Sequence, residues 1–287
     1  MTSRPSPIEN IMDTARWIAF YRAIESERSD ALFHDPFARL LAGKRGEEIA
    51  ARLPRTRQSA WITTVRTRVF DELITQAVNS GTDTIINLAA GLDTRPYRLA
   101  LPTALRWIEV DFPSILSYKQ EKLSNEQPAC ALEYVAMDLA NREERQTLFA
   151  RVGAEARQVL IVAEGFLLYL DADQVAALAT DLHAIPSFAC WLTALASPMM
   201  MQRLPQALKG HLAAGQARMQ FAPEEGAAFF QSYGWKIAEF HASQDEARRL
   251  NREIPLWWLL QLLVYLASKR DRRPTDKAGG FLLLSRA

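Results

Sequence analysis

The stretch that decides the fold is Thr84 to Asp111, TIINLAAGLDTRPYRLALPTALRWIEVD. It starts with a short apolar run, turns at Ala89-Ala90-Gly91, and ends with a second apolar run, Leu105 to Val110, that leads into Asp111. A short apolar run bounded by turn residues is typical of a buried parallel strand. Small residues after such a strand let a ligand approach the backbone, and an acid about 20 residues further on suits ribose hydroxyls. The stretch therefore predicts the nucleotide-binding first half of a doubly wound α/β fold.

An ordinary strand-to-helix turn is the alternative interpretation of this pattern. The stretch has no G-x-G-x-x-G, which weakens a dinucleotide site. The chain also has no G-x-x-x-x-G-K-[ST], so a P-loop for phosphate binding is unsupported.

Composition limits the class of protein. The chain has 287 residues, of which 49% are hydrophobic, enough for a sizeable core in one large domain or two small ones. Its 34 basic and 33 acidic residues give a net charge of +1, without the basic excess of a nucleic-acid-binding protein. Cys130 and Cys190 lie far apart without C-x-x-C spacing, so we expect neither a disulfide framework nor a zinc site, and a reducing cytoplasm fits.

Two segments bear on location. The N-terminal MTSRPSPIEN has no apolar region of the kind that signal peptides carry. The apolar run Ile254 to Ala267 is shorter than the about 20 residues that span a bilayer. It predicts a buried helix, with membrane contact as the minor alternative. We therefore expect a cytoplasmic protein without a membrane partner.

Strands and helices alternate through the middle of the chain, which predicts a parallel sheet with helices on its faces. The predicted strands are residues 84–88, 106–110, 132–136, 159–163 and 188–194. The predicted helices are residues 8–27, 36–41, 61–78, 113–123, 142–152 and 173–185, with residues 43–57 as a polar loop or a weak helix.

Acids and small residues end the first four strands. They are the turn Ala89 to Gly91, Asp111, Asp138 and Glu164. In a parallel sheet, ligands bind beyond the carboxyl ends of the strands at the point where the strand order reverses. Each acid alone would fit a solvated loop, but four strand ends in phase predict one shared ligand site.

The pattern changes after residue 198. Residues 198–230 lack strong strand signals and contain three consecutive methionines, Met199 to Met201, before a helical stretch, 203–221. We interpret this segment as a lid insertion, its methionines being either core filler or part of an adaptable pocket. Residues 234–240 and 281–284 predict two last strands that pair antiparallel, separated by a helix at 245–267 and a charged loop at 269–277.

Four motifs in order carry a family resemblance: NLAAGLDTRPYRL, IEVDFPSILSYKQEKL, MDL and AEGFLLYLD. With the N-terminal YRAIESERSDALFHDPFARLLAG, they make the chain resemble the leucine carboxyl methyltransferase family, in its bacterial and polyketide carboxyl methyltransferase-like branch. The resemblance covers roughly residues 15 to 185. It implies a class I methyltransferase fold that uses S-adenosylmethionine and releases S-adenosylhomocysteine. Such a fold has a seven-stranded sheet with an antiparallel last strand, here as one domain, 1–287, with an N-terminal helical cap, 1–80.

The resemblance also implies a cofactor site. Arg66, chosen over Arg68 by the register of the residues that follow, would bind the methionine carboxylate. The turn from Ala89 to Gly91 would lie against the methionine and ribose, and Asp111 would accept the ribose hydroxyls. Position 89 is usually glycine in the family. We expect its alanine to keep a negative φ and to narrow the turn, giving a tighter fit or weaker affinity without loss of binding.

The remaining cofactor positions follow the third and fourth strands. Asp138 and Leu139 would flank the adenine, and Glu164 would lie near the methionine amino group.

The expected chemistry is methyl transfer to an oxygen. A carboxylate acceptor is already ionised at neutral pH, so orientation and exclusion of water suffice, and no metal is expected. Arg22 and Tyr169 are the candidates to orient it. The alternatives are a surface salt bridge of Arg22 to Glu25 or Glu9, and a core aromatic role for Tyr169.

Three other functions stay open. A hydroxyl acceptor would need a base, for which His211 is the best histidine. A protein C-terminal carboxylate is a second acceptor class, although the bacterial-type N-terminus favours a small molecule. A non-catalytic nucleotide-binding module is the third.

Overall fold

A computed structural model of the chain describes residues 6–53, 56–253 and 279–287. Within these ranges, seven strands form one sheet in the order β3-β2-β1-β4-β5-β7-β6. They are β1 (Thr84–Leu88), β2 (Arg106–Asp111), β3 (Ala131–Ala136), β4 (Val159–Ala163), β5 (Phe188–Leu195), β6 (Trp235–Ala242) and β7 (Gly280–Arg286).

The sheet is doubly wound, as predicted. Strands β1 to β5 pair in parallel, and β7 pairs antiparallel with both β5 and β6. The strand order reverses between β1 and β4, and this is the switch point at which such folds bind ligands. The predicted antiparallel pairing of the last two strands is confirmed.

Helices cover the sheet and its carboxyl edge. They are α1 (Ile11–Ser26), α2 (Ala38–Arg52), α3 (Thr56–Asn79), α4 (Arg95–Arg98), α5 (Pro113–Lys122), α6 (Arg142–Glu155), α7 (Ala172–His183), α8 (Pro198–Arg203), α9 (Gln206–Ala214) and α10 (Ser243–Arg249).

Apolar side chains pack on both faces of the sheet. Alternate residues of a strand point to opposite faces, so successive positions enter two separate clusters. Ile86, Ile108 and Ile161 belong to one cluster, and Ile85, Trp107 and Leu160 belong to the other. The central strands are thus buried from both sides, which explains their near-continuous apolar runs.

Helix α2 is longer than the sequence predicts. The predicted helix end at residue 41 is wrong because the chain continues through a kink at Gly43 to Arg52, and of the two alternatives for residues 43–57 the helix is the correct one as far as Arg52. Gly43 has a φ of 57°, which glycine adopts without strain. Gly46 then lies so close to α1 that a Cβ there would come 2.6 Å from the Arg16 carbonyl oxygen. Packing against α1, not helical periodicity, extends this helix.

Residues 198–230 form several short helical segments. The continuous helix predicted at 203–221 is wrong because α8 ends before Leu204 and α9 spans only Gln206–Ala214. Pro205 stands between them, and proline cannot continue the hydrogen bonding of a preceding helix. A 3₁₀ segment, Gly226–Tyr233, then leads into β6.

The helix predicted at 245–267 is interrupted early in the part of the chain that the structure describes. Helix α10 ends at Arg249, and Asn251 takes a φ of 52°. The rest of that helix and the predicted loop at 269–277 lie outside the described residues. In the parts of the chain that the structure describes, no helix has the length and apolarity needed to cross a membrane.

An aromatic cluster packs the 3₁₀ segment Gly226–Tyr233 against the sheet. The Phe230 ring lies 5.2 Å from the Trp191 ring, centroid to centroid, and Phe230 is fully buried. We expect Phe230→Ala to lower the free energy of unfolding by about 3–5 kcal/mol, because it removes a large buried side chain and leaves a cavity. Urea denaturation measures the change. The neighbouring Gln231→Ala changes an exposed side chain and serves as the control, with an expected effect within about 0.5 kcal/mol; equal losses would contradict this packing.

Candidate functional site

A cavity of about 650 Å³ lies at the carboxyl edge of the sheet. Ligand sites in proteins usually enclose about 300–1,000 Å³, so this cavity has room for a nucleoside cofactor and a second small molecule. The structure brings all four predicted strand ends to its wall. The strand-end segments that line it are 89–93, 111–112, 137–140 and 164–165. Residues of α1, α3 and α9 also line it, together with residues that follow β4 and residues of β5 and β7.

Asp111 fixes the turn that follows β1. Its Oδ2 accepts a hydrogen bond from the Gly91 backbone N–H at 2.6 Å, and its Oδ1 accepts one from the Phe112 N–H at 2.7 Å. Burial raises the pKa of Asp111, and these two backbone hydrogen bonds oppose that rise. Each carboxylate oxygen has two lone pairs, so both oxygens keep acceptor capacity for hydroxyl groups of a ligand.

Ala89 does not have the backbone conformation expected from the sequence. Its φ is +52°, in the left-handed region, so the expectation of a negative φ is wrong. The turn needs this conformation between β1 and Gly91, which also has a positive φ of 56°. An L-residue in this region costs about 1–2 kcal/mol because its Cβ crowds the following carbonyl oxygen. The alanine is therefore a strained residue at the cavity wall.

Arg66 and Glu164 form an ion pair at the cavity wall. Arg66 Nε donates to Glu164 Oε1 at 2.8 Å, and both residues line the cavity. A Cβ on Gly165 would lie 3.2 Å from Arg66 Nη1, so the glycine leaves room for the guanidinium. Arg68 instead pairs with Glu72 and does not line the cavity.

Sequence reasoning missed the buried charges beneath the turn. Arg95 lies at the start of α4, with a side chain 2% exposed, and pairs with three carboxylates. It contacts Asp71 Oδ1 at 2.7 Å, Asp93 Oδ2 at 2.8 Å and Glu164 Oε2 at 2.7 Å. Asn87, within β1, also donates to Asp93 at 2.9 Å. The sequence does contain signals for these charges. Asp93 and Arg95 follow the turn, and Asn87 is a polar residue inside the apolar strand β1.

These pairs set the charge of Glu164. Burial acts to raise its pKa, but Arg95 and then Arg66 lower it, and the net pKa lies below the usual glutamate value. Asp93 follows the same pattern, with burial opposed chiefly by Arg95. Both carboxylates are thus ionised at neutral pH and are poor proton acceptors.

Asp138 and Leu139 line the cavity after β3. Asp138 is exposed, and its Oδ1 accepts a hydrogen bond from the Ala140 N–H at 2.9 Å. Leu139 is buried and offers an apolar surface beside it. The pair thus places an apolar surface beside an accessible carboxylate.

The two predicted orienting residues both line the cavity. Arg22 donates through Nε to Asp35 at 2.8 Å and through Nη2 to the Leu92 carbonyl oxygen at 2.5 Å. The alternative of a surface pair with Glu25 or Glu9 is wrong because Arg22 is buried with Asp35 as its partner. Tyr169 ends the 3₁₀ turn Leu167–Tyr169, and burial raises the pKa of its phenol, so it stays protonated and able to donate.

A seven-stranded doubly wound sheet with an antiparallel last strand and a cavity over its acidic strand ends defines a nucleoside-cofactor-binding α/β protein. A family model described as leucine carboxyl methyltransferase matches residues 15–183. A candidate S-adenosyl-L-methionine-dependent methyltransferase from Frankia alni is 30% identical over 84% of this chain and 89% of that protein. Another from Streptomyces coelicolor is 36% identical over 56% of this chain and 60% of that protein.

A solved structure supports the fold alone. The crystal structure of a DUF574 family protein from Streptomyces avermitilis matches with a TM-score of 0.57 and 16% identity, over 96% of this chain and 97% of that one. The chain belongs to the leucine carboxyl methyltransferase family. It is an S-adenosylmethionine-dependent methyltransferase. The residues present fit this cofactor, because the buried Asp111 carboxylate beside the Gly91 turn suits ribose hydroxyls.

The strain at Ala89 can be tested by two glycine substitutions. We expect Ala89→Gly to raise the free energy of unfolding by up to about 1 kcal/mol, because glycine tolerates a positive φ. Ala90 does not have a positive φ. Ala90→Gly should therefore lower the free energy of unfolding by about 1 kcal/mol, and it serves as the control. Urea denaturation measures the free energy of unfolding of both variants. If both substitutions lower it, Ala89 is not strained.

A second prediction concerns the Glu164 ion pairs. We expect Glu164→Gln to lower the free energy of unfolding at pH 7 by about 3 kcal/mol, because it removes a charged partner from the buried Arg95 and from the half-buried Arg66. Since folding lowers the pKa of Glu164 from the ordinary 4.5, its contribution is present above that pH and is lost as the pH falls below it. The gap between wild type and variant should therefore narrow in acid.

The control for this variant is a surface ion pair. Glu155 pairs with Arg106 at 2.7 Å but is 47% exposed, so Glu155→Gln should cost less than about 1 kcal/mol. Chemical denaturation between pH 7 and pH 3 measures the loss in free energy of unfolding for both variants. If the difference in free energy of unfolding between wild type and Glu164→Gln grows in acid, the assigned pKa shift of Glu164 is contradicted.

Proposed function

We propose that the protein transfers the methyl group of S-adenosylmethionine to a carboxylate oxygen of a small molecule. One observation carries the choice of acceptor. Among the described residues that line the cavity there is no histidine, cysteine or lysine. Glu164 and Asp93 are held ionised by arginines, and Asp111 accepts hydrogen bonds from the backbone. A site whose described lining offers no histidine, cysteine or lysine as a general base suits an acceptor that arrives already ionised, as a carboxylic acid does.

We propose that the cofactor lies along the strand ends. Asp111 would accept the ribose hydroxyls beside Gly91, and Asp138 and Leu139 would hold the adenine. Arg66 uses its Nε for Glu164, and its two terminal nitrogens would bind the methionine carboxylate. Glu164, held between Arg66 and Arg95, would place its negative charge near the amino group of the methionine.

When bound, S-adenosylmethionine supplies a methyl group activated by its sulfonium sulfur. The protein's part is then to hold the acceptor oxygen in line with that methyl group and to exclude water. Arg22 binds the Leu92 carbonyl, so we assign it to positioning α1 over the turn. The protonated Tyr169 is a candidate donor to the acceptor.

The competing acceptors are less well supported. A hydroxyl acceptor would need a base, but His211 is bonded to Ser6, with 3.2 Å between Nδ1 and Oγ, and is not among the cavity-lining residues. A protein tail would need a groove for an extended peptide, whereas the apolar Leu204, Leu208 and Leu212 that line the cavity suit an apolar small molecule. The proposed site of action is the cytoplasm, which agrees with Cys130 and Cys190 both being free thiols.

The cofactor assignment is tested at Asp111. We expect Asp111→Ala to weaken binding of S-adenosylhomocysteine about 10–100-fold, since a charge-assisted hydrogen bond contributes about 1.5–3 kcal/mol. Isothermal titration calorimetry measures the affinity. The control is Glu121→Ala, which removes a carboxylate that is 73% exposed and outside the cavity lining. Unchanged affinity in Asp111→Ala would remove this residue from the site.

The acceptor class is tested by the product. We expect tritiated methyl groups from S-adenosylmethionine to appear on carboxylic acids as esters, which dilute alkali hydrolyses to volatile methanol. An alkali-stable methyl ether formed from a phenol or alcohol, without any ester, would replace the carboxylate with a hydroxyl acceptor.

A further inference from the structure

One face of α1 lies over the turn after β1. Ile11, Thr14, Ala15 and Ile18 recur at helical spacing, and all line the cavity. A Cβ on Gly91 would lie 3.9 Å from the Ala15 Cβ, so this face adjoins the turn where the cofactor is proposed to bind.

Two of the buried polar atoms on α1 that have no hydrogen-bond partner in the described structure belong to residues three positions apart. They are the Thr14 hydroxyl oxygen and the Trp17 indole nitrogen. Thr14 is 7% exposed and Trp17 is 8% exposed, and both residues line the cavity. They stand three residues apart, so they are neighbours on the helix surface. Buried polar groups in native proteins are nearly always satisfied, and an exception at a cavity wall indicates a missing ligand group.

The arginines of the cavity wall are already paired. Arg22 binds Asp35, Arg66 binds Glu164, and Arg95 binds three carboxylates. A guanidinium bound to the acceptor would also neutralise the charge that makes its oxygen nucleophilic. Uncharged donors orient a carboxylate while leaving more of that charge on the oxygen.

We propose that Thr14 Oγ1 and Trp17 Nε1 donate hydrogen bonds to the acceptor carboxylate, and that the rest of the acceptor is an apolar group. This inference rests on the proposed function. The apolar group lies against Ile18, Leu208 and Leu212, which line the same cavity. A lone pair of the carboxylate oxygen forms the bond to the methyl carbon, and the electron pair of the carbon–sulfur bond stays on sulfur. The negative and positive charges cancel, and no proton is released.

The test uses the full chain saturated with S-adenosylhomocysteine and 2-naphthoate as the probe acid. With indole nitrogens labelled with ¹⁵N, we expect 2-naphthoate to move one N–H resonance downfield, the one that is missing in Trp17→Phe. A neutral naphthalene without the carboxylate should not produce this shift, because it offers no acceptor to the indole.

The kinetic test uses two variants and one matched control. Thr14→Val and Trp17→Phe should each lower kcat/KM for 2-naphthoate about tenfold, with affinity for S-adenosylhomocysteine unchanged within about twofold. Thr14→Ser should restore the activity because it restores the hydroxyl. Thr67 on α3 also has a buried, unpartnered hydroxyl but does not line the cavity, so Thr67→Val should leave kcat/KM unchanged.

The outcomes separate this inference from the proposed function. Methyl ester formation with kcat/KM unchanged in both variants would overturn the two donors and leave carboxyl methylation intact. A shift of the Trp17 resonance without ester from any acid would support the carboxylate site and contradict the transfer. Neither a shift nor an ester would overturn both.

Discussion

The site depends on the ion pairs between the buried guanidinium of Arg95 and three carboxylates. A charge removed from water must be neutralised by close partners, and Arg95 meets Asp71 from α3, Asp93 from the turn and Glu164 from the end of β4. These three elements are distant in sequence and are held within hydrogen-bond distance of one side chain. The position of the turn over the sheet follows from this electrostatic requirement.

The same network sets the chemistry of the cavity. Glu164 is shared between Arg95 and Arg66, so it is a fixed negative charge and a poor base. Such a site is suited to holding a positively charged methyl donor without taking protons from the acceptor. On the opposite wall, α1 adds uncharged polar atoms and apolar side chains, and Arg22 fastens this helix to the turn through the Leu92 carbonyl. One side of the cavity is therefore ionic and the other is mostly apolar.

The sequence predicts the sheet well because buried parallel strands leave a local signal. The bounds predicted for β1 and β4 agree with the structure, and Asp111 at the end of β2 and Glu164 after β4 line the cavity. The prediction fails where contacts between residues far apart in sequence determine the local structure. The extension of α2 depends on Gly46 packing against α1, and the partner of Arg22 is Asp35 across a loop. The positive φ of Ala89 depends on the geometry of the turn, which residue type alone does not reveal.

The most direct test of the central claim is a crystal structure of the protein with S-adenosylhomocysteine. We expect the ribose hydroxyls within hydrogen-bond distance of Asp111, the adenine between Asp138 and Leu139, and the sulfur facing α1. Ligand density elsewhere on the molecule, or a ribose turned away from Asp111, would contradict the assignment of the strand ends as the cofactor site.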